Sequence, residues 1–574
     1  MVRSFQKINR GYLSVIIIVT LAAFFLRAYH FSDWLYFQAD QTRNANNAVD
    51  ALNNGLADLP LLGPKAGGTD FHLGPVSYYF EIFSGWIFGT DHPAVFALPN
   101  FIFLLAATPL MFYFLCQFFK VKISLLVTVI FSFSYIVAQY SRFSWNPNGL
   151  IFFGLLFVLS LYKLAVENSG KTVGRWLVVG ALSYGISSQL HSLSLLGYPL
   201  VALIFFIIYP FLEINWSRIK NIFSKKGKIT GKLMIILGKW KGQSFLTKIT
   251  WKYWLGSILI LLVLYAPLII YEVNYAGYNA REFIRAFSVK SEERGMLERM
   301  EKTAEVYGEN YILALSSFND KEFKDASLLG CLFIFVSIFA SVVWFFEKNK
   351  KDYFQKNSDK KFVLLMGICF FVFLFAHYKL AFDIDQPRFW FPVFFLPYFF
   401  LGFLFSFGWK KFGGKVAAVV ISIILITFNL SAIANWYQGM KHQDEIGRFG
   451  RKITSSSLKQ NDFIGYGQMK EASIWIKSEA EKGSGKACFN SPSTYLASYK
   501  YIFDNDHPDF ESKRINKTVE MNLADNCDIF IITHGNSSKN EIEKKFSQKN
   551  INVALTKNQK FGLITVWKVG LVDK

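Results

Sequence analysis

Cysteine is scarce in this 574-residue chain: there are five, and no two form a CxxC pair. Isolated cysteines of this kind do not make a metal site. Acidic residues are also few, 41 against 62 basic ones, and the stretch from Ile214 to Ile270 has none. The N-terminal apolar run lies behind Arg3, Lys7 and Arg10 and is followed by no small-residue cleavage site, so it is expected to stay as a span and not to be removed as a signal peptide. The C-terminal tail lacks a glycine-rich phosphate loop and a nucleophile motif. This excludes the usual signatures of a soluble nucleotide-binding or hydrolase domain there.

What the chain has in excess is apolar and aromatic surface. Hydrophobic residues make up 52% and aromatic residues 18%, with 62 Phe, which is more than one soluble core needs. A helical span needs ~20 mostly apolar residues. About eleven stretches qualify: Gly11 to Arg27, Pro93 to Phe119, Ile123 to Gln139, Leu150 to Leu164, Trp176 to Leu190, Leu193 to Phe211, Tyr253 to Tyr271, Ser327 to Phe346, Phe362 to Ala376, Phe389 to Phe407 and Val416 to Ala434. The expected fold class is an α-helical polytopic membrane protein, with a membrane domain over 1–434.

The formal net charge of +21 first suggests nucleic acid, but its distribution argues against that partner. Basic residues fall in alternate loops: Arg3 to Arg10, Lys120 and Lys122, Lys171 and Arg175, Arg218 through Lys252, Lys348 through Lys361, and Lys410 to Lys415. This is the positive-inside pattern, and the acid-free basic loop is suited to lie on anionic membrane lipid as well as to set orientation. Alternation then assigns the segments Tyr29 to His92, Tyr140 to Asn148, the turn at His191, Asn274 to Asp325, Leu380 to Pro387 and the tail after Asn435 to the outer side. In the tail, 447–574, a helix at Met469 to Ala480, strands at Ala487 to Phe489, Cys527 to Thr533 and Phe561 to Val569, and a charged helix at Lys539 to Lys549 predict a small extracytoplasmic α/β domain capping the membrane region. Cys488 and Cys527 fall in it, where a disulfide is permitted. Cys116, Cys331 and Cys369 fall in or beside spans as packing residues.

The polar clusters collect on that outer side. Phe37-Gln-Ala-Asp40-Gln-Thr-Arg43 follows the first span. Ala45, Ala48, Val49 and Leu52 then recur at helical spacing up to Asn53-Asn54-Gly55, which predicts an amphipathic helix along the membrane surface. Asp40 stands at its beginning, either as an N-cap or as a catalytic acid, and the two roles are compatible. Further on, His72-Leu-Gly74-Pro75-Val-Ser-Tyr-Tyr79-Phe-Glu81 joins a turn to an aromatic surface helix. Ser141-Arg142-Phe-Ser-Trp145-Asn146-Pro-Asn148 occupies the second outer loop, and Ser188-Gln189-Leu-His191 the next outer turn. Asp383-Ile-Asp385-Gln-Pro387-Arg388-Phe-Trp390 opens a late span.

In this order of first span, outer-loop Asp, helix, glycine-proline turn before Tyr-Tyr, many spans and outer α/β tail, the chain resembles the GT-C superfamily of membrane glycosyltransferases. It looks in particular like the bacterial branch related to protein O-mannosyltransferases and lipid A aminoarabinose transferase. Relatives usually read Asp-Glu in the first loop and Pro-Pro in the turn; here the residues are Asp40-Gln41 and Gly74-Pro75. Asn148 stands where relatives often have an acid, which weakens a metal site because amides bind hard cations less well than carboxylates.

The resemblance implies transfer of a sugar from a polyprenyl-phosphate donor to a glycan, lipid or protein acceptor on the outer face of the bacterial inner (plasma) membrane. Asp40 would be the general base and Arg388, with Arg142 as a second candidate, would clamp the departing phosphate. His191, His72 and Asn148 would line the substrate site. No metal or other cofactor is required by this scheme. Two structural alternatives remain open at the sequence level: Arg388 as an ion-pair partner of Asp383 or Asp385, and His191 as a hydrogen-bonded boundary residue. Should Asp40 only cap its helix, Glu81 and Asp70 are the next acids. The alternative function is a polytopic transporter or lipid flippase. Against it, such proteins tend to place ionisable groups near the midplane of interrupted spans, whereas the polar groups here gather on one side.

Overall fold

The computed structural model describes residues 10–67, 69–213, 248–288, 295–318, 325–346, 353–380, 387–442, 464–515, 527–534, 539–547 and 553–571. Among them, nine helices are long and apolar enough to cross a membrane. The first is α1, Arg10–Ala28. Two shorter helices follow in the first loop, α2 over Ala39–Asn54 and α3 over Val76–Phe88. Next come α4, Pro93–Leu115; α5, Val121–Ser132; α6, Tyr135–Tyr140; α7, Leu150–Val166; α8, Gly170–Leu190; and α9, Ser192–Ile208. After the basic segment 214–247, which falls outside the described residues, come α10, Trp251–Asn274; α11, Tyr278–Ser288; α12, Met296–Ser316; α13, Ala326–Phe346; α14, Tyr353–Leu380; α15, Leu396–Gly408; and α16, Phe412–His442.

Two of the eleven expected spans take other forms. Ile123 to Gln139 is broken, because Ser134 adopts an extended ψ of 129° and a new helix starts at Tyr135, whose N–H donates to the Asn429 side chain at 2.8 Å. Trp176 to Leu190 is the later part of the 21-residue α8, which is less apolar than the nine and packs between α7 and α10.

Hydropathy does not tell these helices apart by environment. The spans Asn146–Val166 and Trp251–Asn274 have the same mean hydropathy, 2.2, yet 83% of the first window is buried inside the protein and only 6% of the second. A helix apolar on all sides is stable in either place, in a protein interior or facing hydrocarbon. Here α7 forms the centre of the bundle and α10 its edge.

The tail forms a five-stranded sheet in the order β2-β1-β3-β5-β4, with β1 Ala487–Asn490, β2 Ser512–Arg514, β3 Asp528–His534, β4 Val553–Phe561 and β5 Ile564–Leu571. The first three strands are parallel, and β5 runs antiparallel to both β3 and β4. Along β3 the side chains alternate: Phe530 and Ile532 join the main core, while Ile529 and Ile531 join a second core on the other face. The helices are α17, Tyr466–Glu481; α18, Ser493–Asp506; and α19, Lys539–Ser547. Cys488 and Cys527 form a disulfide, Cα to Cα 5.7 Å, beside the second core. The expected single C-terminal strand is a hairpin, because Gly562 at φ 62° turns the chain just after Phe561. Strand β4 has no clear apolar period, whereas α18 carries Tyr495, Tyr499, Ile502 and Phe503 at helical spacing.

The tail docks onto the first loop. Tyr36 bridges Gly465, Tyr466 N–H donates to Leu35 O at 2.9 Å, and Gly467 N–H donates to Asp33 O at 2.9 Å. The Thr42 and Ser498 hydroxyls meet at 2.8 Å, and the Gln38 amide donates to the Tyr495 hydroxyl. Helix α2 is therefore held between α3 and α18 and does not lie along lipid as expected. Its inward face is Thr42, Asn44, Ala45, Ala48 and Ala51, small residues that allow close helix approach and polar ones that find protein partners.

Candidate active site

Asp40 is the second residue of α2 and does not cap it. The N-cap is Gln38, whose N–H is received by the Gln41 side chain at 3.2 Å. Asp40 is half exposed, and Arg43 Nη1 donates to its Oδ1 at 2.9 Å, one helical turn away. Arg43 also donates to the Asn44 side chain at 3.1 Å. An acid in the first turn is favoured by the helix dipole, so the carboxylate sits at a helix start free of any capping duty.

Asn44 leads to a group that sequence reasoning treated only as a reserve. Its Nδ2 donates to Glu81 Oε1 at 3.2 Å, and the Ser144 hydroxyl of the second loop donates to the same oxygen. Glu81 is buried, and burial pushes its carboxyl up to about 8. Its signal in the sequence was a lone acid in an otherwise aromatic helix. Asp70, the other reserve acid, is exposed and takes a donor from Lys65 at 2.7 Å, which holds it below the usual carboxylate range.

Arg142 is placed otherwise than expected. It is fully buried and donates to the backbone carbonyls of Arg27, Tyr29 at 2.7 Å and His30 at 2.9 Å, where α1 ends. The rings of Phe31, Trp436 and Tyr437 surround it at 5.6, 5.5 and 5.3 Å. Its guanidinium ties the end of α1 to the second loop and is not presented to a phosphate. Asn148 is likewise structural in its contacts: its Nδ2 donates to Tyr140 O at 2.8 Å and Phe143 O at 3.1 Å, closing the loop.

Arg388 lies in a separate cluster. It is the middle residue of the turn Pro387–Phe389 and is partly exposed. A Cβ built on Gly67 would come 3.0 Å from its Nη2, so a first-loop position without a side chain leaves room for the guanidinium. The next ring, Phe389, meets His191 edge-on at 5.3 Å, and Phe389 O receives His377 Nε2–H at 2.9 Å. Tyr307 OH donates to the other nitrogen of His377 at 2.8 Å, and Trp390 stacks on the same ring at 4.7 Å. His377 and Tyr307 had gone unnoticed in the sequence; a histidine just past the end of a span was the available signal. His191 accepts Leu193 N–H at 3.2 Å on Nδ1, capping α9, and burial, aided by Arg388 and His377, pushes it down to about 3, so it is neutral. Asp383 and Asp385 lie outside the described residues.

His72 sits in a hairpin-like turn, its ring Nδ1 2.8 Å from Gly63 O and its backbone paired with the Asn279 side chain at 2.7 and 3.1 Å. Gly74 follows because Gln189 packs there: an added Cβ would lie 2.2 Å from Gln189 Oε1. His72 and Gln189 line an open cavity of about 190 Å³ together with Tyr265, Glu272 and Phe283. Among the described residues, no three His, Cys, Asp or Glu side chains gather as a metal site.

The chain is similar in fold to a solved polytopic membrane protein. The crystal structure of ArnT from Cupriavidus metallidurans bound to undecaprenyl phosphate is similar over 98% of this chain and 98% of its own, with 10% identity and a TM-score of 0.53. Weaker likenesses are to the archaeal oligosaccharyltransferase AglB from Archaeoglobus fulgidus, in complex with an inhibitory peptide and a dolichol-phosphate, with 12% identity, 91% and 69% coverage and a TM-score of 0.45, and to the mycobacterial arabinofuranosyltransferase AftD, with 9% identity, 98% and 42% coverage and a TM-score of 0.36. No family model matches the chain, and no curated protein matches it by sequence.

Proposed function

We propose that this protein is an integral-membrane glycosyltransferase that moves a sugar from a polyprenyl-phosphate donor to an acceptor hydroxyl at the outer membrane face, with Asp40 as general base. The observation that carries this reading is the end-to-end likeness to a structure holding undecaprenyl phosphate, in a chain whose first loop presents a half-exposed acid on a braced helix. The acceptor oxygen attacks the anomeric carbon as its proton passes to Asp40. The bond from that carbon to the phosphate oxygen breaks, and polyprenyl phosphate leaves with the negative charge. Arg388 is the candidate to meet that charge, since its planar fork donates to two phosphate oxygens at once. His72 and His191 are assigned to the donor's surroundings. The chain divides into a transferase region, 1–434, and an extracytoplasmic α/β domain, 447–574, that braces the Asp40 helix.

Incubating the purified protein with a panel of polyprenyl-phosphate sugars and detecting released carrier by mass tests the reading. Release from one donor is expected. Donor binding without release from any member, in the presence of acceptor extract, would favour a transporter. Orientation is checked on intact cells: a cysteine placed near Lys241 should resist external labelling and one in the tail should accept it, and the reverse result would remove the outer-face site.

A further inference from the structure

Glu81 is a buried carboxyl that the reaction above does not use. It projects from the middle of α3 with 3% of its surface exposed, and the Ser144 hydroxyl and the Asn44 amide both donate to Oε1. Oε2 is equally buried and has no hydrogen-bond partner among the described residues. A carboxylate accepts on both oxygens, whereas a neutral acid has one carbonyl oxygen that accepts and one hydroxyl. A carboxylate would leave a charged oxygen buried without a donor, whereas the acid leaves only a neutral hydroxyl there, which is the smaller penalty. Glu81 also borders a small space of about 10 Å³ beside Asn100, Trp145 and Asn146, room for about one water and too little to hydrate a charge.

We propose that Glu81 is a positioning residue for the transfer reaction, holding the Asp40 helix against the second loop in its neutral acid form. The proposal rests on the reading of Asp40 as base. Through Asn44 it grips α2 one turn beyond Asp40, and through Ser144 it grips the loop whose Arg142 is anchored to α1. The ionisable groups that face it are Arg43 from α2, Tyr78 from its own helix and Tyr501 from α18; the α4 residues beside it, Phe96, Pro99 and Asn100, are uncharged. Arg43, the cation in this set, is paired with Asp40. Burial outweighs the two donors and Arg43, so the carboxyl titrates near about 8. Below that pH it is neutral. Above it, a buried anion forms beside Arg43, which is then drawn away from Asp40. The raised value also means that the folded protein holds this proton more tightly than the unfolded chain, so stability falls as pH rises from the ordinary carboxyl range to about 8 and is level above it.

Two measurements decide the proposal. Infrared difference spectra of the purified protein from pH ~6 to ~10 should show a protonated-carboxyl band that fades as pH rises through its titration and is missing from Glu81→Gln. A wild-type protein without that band, or a Glu81→Gln protein that keeps it, overturns the proposal without any need for substrate. In the carrier-release assay, wild-type activity should fall as pH rises through the Glu81 titration, while Glu81→Gln should keep near wild-type kcat without that alkaline fall. Glu81→Ala should lose kcat on the order of 10- to 10²-fold with KM unchanged, the cost of a misplaced catalytic helix. An alkaline fall in Glu81→Gln as steep as in wild type also refutes it. Asp40→Asn keeps the two readings apart: activity in that variant removes Asp40 as base, while the infrared titration still reports on Glu81 alone.

Discussion

The first and second loops each bring an arginine to the same end of the molecule, and they use its charge in opposite ways. Arg43, half exposed, pairs with an acid that remains in contact with water, whereas Arg142 is buried, with its two Nη groups bonded to the carbonyls at the end of α1 and three aromatic rings around it. Exposed pairs of this kind contribute little to stability and leave both groups available for chemistry. A buried guanidinium bonded to backbone carbonyls is held away from solvent, and removing it leaves those carbonyls unsatisfied. Finding an arginine in a loop therefore says little about its role until its donors are accounted for.

Four substitutions break or sharpen this contrast. Asp40→Asn should cost ~10²- to 10⁴-fold in transfer rate, since an amide cannot take the proton. Thermal stability and donor binding should be unchanged, because the cap is Gln38; a wild-type rate would return attention to Glu81. Arg142→Ala should act on stability instead, lowering it by about 3 kcal/mol or more through orphaned carbonyls, as read from the denaturation midpoint in detergent. Should its midpoint be intact and its activity alone be lost, the division between the two loops is wrong.

The third substitution is at Arg388, which stands between these extremes, partly exposed and set against Gly67. Activity should fall in the order Arg, Lys, Ala, with the full loss about 10- to 10²-fold, the scale of charge-assisted bonds to phosphate. Equal rates in all three would take it out of the phosphate site. The smallest effect belongs to Arg43→Gln, which removes the exposed partner of Asp40. It should shift stability by about 0.5 kcal/mol or less, as read from the denaturation midpoint in detergent.

The membrane region was legible because composition alone forces it: nine of the eleven apolar stretches became long apolar helices. The start of α2 and its end at Gly55 were legible for a similar reason, since turn residues and apolar spacing act locally. The cap was misread because Gln38 needed Gln41 to complete it, and the helix's surroundings were misread because its apolar face fits a tail helix as well as it fits lipid. Strand β4 has a mostly polar sequence without a clear period, and pairing with β5 supplies its order, whereas Tyr495, Tyr499, Ile502 and Phe503 of α18 do recur at helical spacing.

By itself the sequence determined what is local or additive: how much apolar surface must leave water, where helices start and stop, and which polar residues collect at one end. Only the tertiary structure decided which charges stay wet and which go dry. Asp40 and Arg142 look alike as loop residues of opposite sign, but the fate of each depends on carbonyls and rings brought from distant parts of the chain, such as Tyr29 and Tyr437 around Arg142. Burial is a property of the assembled packing, and a charge's chemistry follows from its burial.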